Sequence, residues 1–152
     1  MKAAEGTLGR VFVLRLEDGD RIPDCIERFA SEQGLARAVV SLIGGVGAGS
    51  VVVGPEDGRA TPIIPMTRAL NDVYEAAAVG TLFPDESGTP RLHMHAALGR
   101  GESPLTGCVR QGVDVWKLGE VVLLEIVGNM RRVLDPAFGF EVLDVHGGGE
   151  KS

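Results

Sequence analysis

The sequence predicts a single α+β domain in which a mostly antiparallel sheet packs around one main helix. Many short runs rich in Val, Leu and Ile are separated by Gly, Pro and Asp turns, which is typical of strands. Only one segment has apolar residues at helical spacing. A chain of 152 residues with 44% hydrophobic residues has the size of one domain and can bury a substantial core.

The first elements are a strand and the helix. The side chains of residues 9–16 alternate between the two faces of an extended chain, which predicts the opening strand. The helix is predicted over 22–33, where apolar residues recur every three or four positions. Asp20 is its expected N-cap, Pro23 is tolerated in its first turn, and Gly34 follows its end.

The middle of the chain is rich in glycine and alanine. Strands are predicted over 35–43 and 51–53, on either side of the Gly-rich segment 44–50. That segment has neither a G-x-G-x-x-G register nor a following Gly-Lys-Ser/Thr, so we expect a bulge or bend and no phosphate loop. Residues 68–82 contain the run Ala76-Ala77-Ala78, which favours helix, but the surrounding residues favour a strand that pairs with the next one.

The most informative segment is 92–98, Leu-His-Met-His-Ala-Ala-Leu, an apolar run that predicts a strand. His93 and His95 would project from the same face of this strand. Cys108 follows thirteen residues after His95. Two imidazoles and a thiolate can together hold a transition metal, with zinc the first choice at a mixed nitrogen and sulfur site.

A hairpin would bring these three side chains together. Residues 99–104 carry Gly and Pro turn signals, and 105–116 is the predicted returning strand. If Leu98 lies opposite Leu105, His95 lies directly across from Cys108 on the same face. A slip of one residue would send the cysteine to the other face, so the site depends on this register.

The same residues allow other interpretations. A metal-dependent enzyme would need a general acid or base, for which Glu75 in the preceding strand and Glu102 in the following loop are the candidates. Asp114 and Lys117, around the only tryptophan, are further candidates. Cys108 is alternatively a reactive thiol without a metal, or a small buried residue unrelated to the histidines.

Strands over 120–127, 130–134 and 138–145 complete the predicted domain, which spans residues 1–145. The Gly-rich end, 146–152, is expected to be disordered, and His146 within it has little weight as a ligand.

Charge and composition restrict the partners. A net charge of −6 argues against general affinity for the phosphate backbone of nucleic acids. Small basic clusters occur as Arg91, Arg100 and Arg110 and as Arg131-Arg132. No apolar run approaches the length of a membrane span, the N-terminus lacks a signal core, and two cysteines suggest no disulfide framework. We therefore expect a cytoplasmic protein with reduced thiols and no membrane partner.

The order of these segments resembles the plants-and-prokaryotes-conserved (PPC) domain family, which occurs alone in bacteria and archaea and is fused to AT-hooks in plant nuclear proteins. The resemblance rests on the opening Gly-Arg-Val-Phe-Val-Leu at 9–14, the single helix, the Gly-rich junction, and Tyr74-Glu75 with Gly80-Thr81 downstream. Its most specific part is Leu-His-Met-His-Ala-Ala-Leu-Gly at 92–99.

The resemblance implies a homotrimer and, in prokaryotic members, a metal bound by an H-x-H pair and a later Gly-His. Here Gly107-Cys108 stands in place of Gly-His, so the implied ligands are His93, His95 and Cys108. The implied role is a regulatory or protein-interaction module, with a metal-dependent enzyme as the alternative. DNA binding is possible by family analogy only, because the Arg-Gly-Arg-Pro core of the AT-hook is absent.

Overall fold

The computed structural model describes residues 1–145, so the predicted tail with His146 lies outside the described residues. The elements in chain order are β1 (Thr7–Glu17), β2 (Arg21–Ile22), helix α1 (Asp24–Glu32), β3 (Ala38–Pro55), β4 (Pro65–Ala69), β5 (Tyr74–Pro84), β6 (Pro90–Gly99), β7 (Leu105–Cys108), a 3₁₀ turn (Val109–Gln111), β8 (Val113–Val127), β9 (Arg131–Asp135) and β10 (Phe140–Asp144). Strands β1 to β8 form one sheet, and β9 pairs with β10. The mostly antiparallel sheet with one short α-helix is confirmed.

The helix is shorter than predicted and covers less of the sheet. Pro23 occupies its N-cap without a side-chain cap, so α1 begins at Asp24. The predicted cap, Asp20, instead accepts a hydrogen bond from the backbone N–H of Glu17 at 2.8 Å. The buried helix residues are Cys25, Ile26 and Ala30. Most of the other buried core residues lie on strands, so the sheet contributes more to the core than the helix does.

β3 runs through the Gly-rich segment that separates two predicted strands. Its register against β8 shifts at Gly44–Gly45 and again between Val46 and Gly49. Gly49 has φ +119°, and a Cβ there would lie 2.1 Å from the carbonyl oxygen of Gly112. These bulges bend the strand, so its first half pairs with β5 and its second half with β4 and β7. The predicted bulge is confirmed, but the two predicted strands are one.

The bend closes part of the sheet on itself. Strands β3, β5, β6 and β7 are neighbours in that order, and β7 returns to β3 where Val52 lies opposite Cys108. Residues 105–116 are therefore not one returning strand, because the 3₁₀ turn separates β7 from β8. Residues 68–82 contain the last two residues of β4 and most of β5, and β5 pairs with β6 as predicted.

Fully buried side chains fill the space that the curved sheet and the helix enclose. The largest of them are Ile22, Ile26, Leu35, Leu82, Met94, Leu98 and Leu123. Within residues 1–145, no helix combines the length and the apolar character that a membrane span requires.

The ion pair between Arg10 and Glu125 predicts how stability depends on pH. Arg10 donates to the Glu125 carboxylate from Nε and Nη2, both at 2.7 Å, and lowers the pKa of Glu125 from 4.5 to about 2. The folded state therefore binds this proton less readily than the unfolded state, so the contribution to stability is present above the unfolded pKa and is lost as the pH falls towards 2.

We expect Glu125→Gln to flatten the decline in the free energy of unfolding between about pH 5 and pH 2. Urea unfolding at a series of pH values measures this, with Glu32→Gln, an exposed helix carboxylate, as the control. A decline in Glu125→Gln as steep as that of the control would contradict the prediction.

Candidate metal centre

The two histidines project from one face of β6. Along this strand Met94 is buried, His93 is half-buried and His95 is exposed, as expected for alternating side chains. β5 lies alongside, with Thr81 opposite His93 and Val79 opposite His95. The two imidazole Nε2 atoms are 3.1 Å apart. The predicted strand and the shared face are therefore confirmed.

The predicted hairpin register is also confirmed. Leu98 lies opposite Leu105, and His95 lies opposite Cys108. Cys108 is the last residue of β7 and pairs on its other side with Val52 of β3, so it is held between two strands and is 6% exposed. One imidazole nitrogen from each histidine and the cysteine Sγ all lie within 4.8 Å of one another.

The spacing of the two imidazole nitrogens suits a tetrahedral metal ion. Zinc binds nitrogen at about 2.0–2.1 Å and sulfur at about 2.3 Å, so two of its donors lie roughly 3.3–3.6 Å apart. The separation of 3.1 Å between the imidazole nitrogens is close to this value. A bound cation would accept the lone pairs of both nitrogens, whereas without one only a single proton can lie between them.

Burial and nearby charges shift the pKa values of His93 and of the second cysteine, Cys25. Burial lowers the pKa of His93, and the positive charges of Arg132 and Arg110 lower it further, which favours the neutral imidazole that ligates metals. For the other cysteine, Cys25 in α1, burial raises the thiol pKa to about 11. Cys25 therefore remains a protonated, apolar residue of the core.

The carboxylates suggested by the sequence lie away from the histidines. Glu75 precedes Val79, the partner of His95, by four residues on β5, which is about 13 Å of strand. Glu102 is exposed in the turn between β6 and β7. Asp114 and Lys117 form ion pairs with Arg21 and Asp18.

A cavity of about 400 Å³ opens beside His93, which forms part of its wall. Its charged wall residues come from α1, β6, the 3₁₀ turn and the β9–β10 hairpin: Asp24, Glu27, Arg91, Arg110, Arg132 and Glu141. In the sequence these arginines form only small clusters, which do not predict a cavity. The number of arginines near the histidines is the only sequence signal for the cavity. Arg132 lies on a hairpin that is distant in the chain, so its place in the wall could not be predicted.

Comparisons with known proteins agree with this fold. The sequence profile of the Plants and Prokaryotes Conserved (PCC) domain matches residues 3–127. A metal-containing protein from Archaeoglobus fulgidus is 26% identical, with a TM-score of 0.81, and the match covers 93% of this chain and 98% of that one. A plant- and prokaryote-conserved (PPC) protein from Pyrococcus horikoshii is 22% identical, with a TM-score of 0.80 and coverage of 95% and 97%.

A protein from Bacteroides thetaiotaomicron that is named as a proposed DNA-binding protein is 17% identical, with a TM-score of 0.77. The match covers 92% of this chain and 97% of that one. No curated protein matches the sequence significantly. The profile match spans most of the chain, from β1 to the end of β8, and confirms the resemblance given by the sequence. The chain therefore belongs to the Plants and Prokaryotes Conserved domain family.

Proposed function

We propose that this protein is a homotrimeric module that binds one transition metal ion per chain, with zinc the first choice, on His93, His95 and Cys108. The observation that carries the proposal is the convergence of their three donor atoms within 4.8 Å. The metal-containing relative from Archaeoglobus fulgidus supports it. Three protein ligands leave a fourth position open to water or to a partner's side chain.

Metal analysis of protein purified without added zinc tests this proposal directly. About one equivalent of metal per chain is the expected result. A wild-type protein that carries no stoichiometric metal would rule out the metal-binding module and the metal-dependent enzyme together.

An exposed apolar face on the sheet supports the assembly of identical chains. Cross-strand pairing places Val13, Ser41 and Val79 in one row that leads to His95. A neighbouring row leads from Val11 to His93 through Leu124 and Val39. Val13 is 75% exposed and Val79 is 63% exposed. A contiguous apolar face marks an interaction surface, and further copies of the chain would bury it beside the metal ligands.

We expect the wild type to have three times the 16.0 kDa mass of the chain in solution, and Val79→Glu to be monomeric. A charge at position 79 would be buried without a partner in the assembly, which costs several kcal/mol. Analytical ultracentrifugation measures the mass, and Ile63→Glu, an exposed apolar residue outside the sheet, is the matched control. A monomeric wild type, or a trimeric Val79→Glu, would contradict the proposed assembly.

The module would act by binding other proteins rather than by binding DNA. The net charge of −6 opposes the phosphate backbone. We expect DNA affinity at physiological salt to be in the range of weak non-specific binding, with a Kd of about 10⁻⁴ M or weaker. Fluorescence anisotropy over a series of salt concentrations measures it, and tight binding at physiological salt would place DNA among the partners.

The cavity beside His93 favours a second candidate, a metal-dependent enzyme. A metal at the site would supply a bound water acidic enough to attack a small substrate at neutral pH. Glu27 and Glu141 line the same cavity, whereas Glu75 and Glu102 do not. Hydrolysis of p-nitrophenyl acetate by zinc-loaded protein, abolished by His93→Ala, would favour the enzyme over the binding module.

A further inference from the structure

Arg132 on β9 is a buried charge that forms no ion pair in the described part of the chain. It is 7% exposed and is the charged residue that lies in the interior of residues 1–145. Its Nη2 donates to the carbonyl oxygen and to Oγ1 of Thr81, at 3.2 and 3.3 Å, and its guanidinium lies 5.9 Å from the centre of the Phe83 ring. No ion pair within residues 1–145 includes it. Glu141 is the carboxylate that acts most strongly on Arg132, but it forms no ion pair with it. A buried charge without an ion pair is unfavourable, so this position favours an anion from outside.

The remaining donors of Arg132 reach open space. Its Nε and Nη1 have no hydrogen-bond acceptor among residues 1–145, where only Nη2 is engaged. No fully enclosed side-chain nitrogen or oxygen of these residues lacks a partner, so the two free donors are accessible. Arg132 is one of the residues that line the cavity beside His93.

Arg110 faces the same cavity from the 3₁₀ turn. Its side chain is exposed, and no ion pair of the described residues includes it. The third arginine of the cavity, Arg91, is engaged with Asp85 at 3.0 Å and lies 3.8 Å from Glu27. Two arginines are therefore without an ion pair. Burial lowers the pKa of Arg132, Glu141 opposes this change, and the positive charge of Arg110 adds to it. An anion between them would relieve this repulsion.

The acidic residues of the cavity limit what it can accept. Asp24, Glu27 and Glu141 line it beside the arginines, so these carboxylates would repel a ligand that carries negative charge on every side. Carboxylates also accept hydrogen bonds, which suits hydroxyl groups on the uncharged part of a ligand. The volume of about 400 Å³ lies in the range of small-molecule sites.

We propose that this cavity binds a small organic anion, whose carboxylate or phosphate group is held by Arg132 and Arg110 next to His93. The planar forks of the two guanidinium groups match both kinds of oxyanion. The position of the anion beside a metal ion rests on the proposed function. The binding of the anion does not, since the arginines hold it without a metal.

Isothermal titration calorimetry on chelator-treated, metal-free protein tests the arginine site by itself. Inorganic phosphate and succinate are titrated separately, and saturable binding of one equivalent per chain is expected for at least one of them. The tighter of the two identifies the preferred group. Arg132→Gln should weaken that binding at least about tenfold. Arg59→Gln, an exposed arginine of the loop between β3 and β4, should leave it unchanged.

Two further variants keep the test decisive if Arg132→Gln does not fold. Arg110→Gln changes an exposed side chain and should weaken binding several-fold. Arg132→Lys keeps the charge but loses the fork, so it should bind more weakly than the wild type. Absence of saturable binding by the metal-free wild type would overturn the proposal, as would unchanged affinity in Arg110→Gln and Arg132→Lys.

Zinc content measured on the same samples separates this proposal from the metal site. Anion binding by metal-free protein supports the arginine site even where no zinc is taken up. Tighter binding after zinc loading would place the anion within reach of the metal, as proposed.

Discussion

His93→Ala and Cys108→Ser are each expected to release the metal, with a loss in affinity of at least about 100-fold. The wild-type site has three donors within 4.8 Å, and either substitution leaves two protein donors or replaces a thiolate by a weak hydroxyl ligand. Elemental analysis after purification without added zinc measures the content, and competition with a chelator measures the affinity.

The second cysteine provides a matched control. Cys25 is buried in α1 and has a raised thiol pKa, so Cys25→Ser should retain the metal. Cys108→His should also retain it, because an imidazole replaces the thiolate as the third donor. With cobalt in the site, the wild type should show a thiolate-to-metal absorption band that Cys108→His lacks. Full metal content in both His93→Ala and Cys108→Ser would refute this ligand set.

Gly107→Ala is expected to destabilise the domain by about 1–3 kcal/mol and to weaken metal binding. A Cβ at this position would lie 2.7 Å from the carbonyl oxygen of Val52 and 3.0 Å from Val51, closer than real Cβ contacts. β3 and β7 would have to separate where Val52 pairs with Cys108, which immediately follows the substituted residue. The thiolate would then move away from the histidines.

Urea unfolding and metal affinity, measured on the same variant, check both effects. Gly58→Ala is the matched control, because a Cβ at Gly58 would meet nothing within 4 Å. Its stability should stay within about 0.5 kcal/mol of the wild type. A Gly107→Ala protein as stable as this control would show that the two strands tolerate separation at this point.

The candidate metal site could be predicted because it depends on one hairpin. The alternation of side chains puts His93 and His95 on one face, and the loop length sets Leu98 against Leu105 and therefore His95 against Cys108. The Gly-rich segment was correctly interpreted as a bulge, but its two flanking strands are a single bent strand. A local pattern could not show this, since the continuity depends on the strands that pair with each half.

The helix and the returning strand show two further limits. Pro23 takes the N-cap, so Asp20 turns back to Glu17 instead of capping α1. The apolar run over 105–116 is continuous in sequence, yet the 3₁₀ turn interrupts it where β7 ends against β3. The first error is local, since the contact between Asp20 and Glu17 spans three residues. The second follows from a tertiary contact that overrides local preference.

Residue order alone determined the family, the strand of the two histidines and the face that they share with Cys108. The tertiary structure decided the enclosure of Cys108 between β3 and β6, and the cavity that Arg132 completes beside His93. The hydrogen bond from Arg132 to Thr81 joins residues 51 positions apart. Side-chain alternation and turn chemistry act over a few residues, whereas burial of a charge beside a distant strand depends on how the whole chain packs.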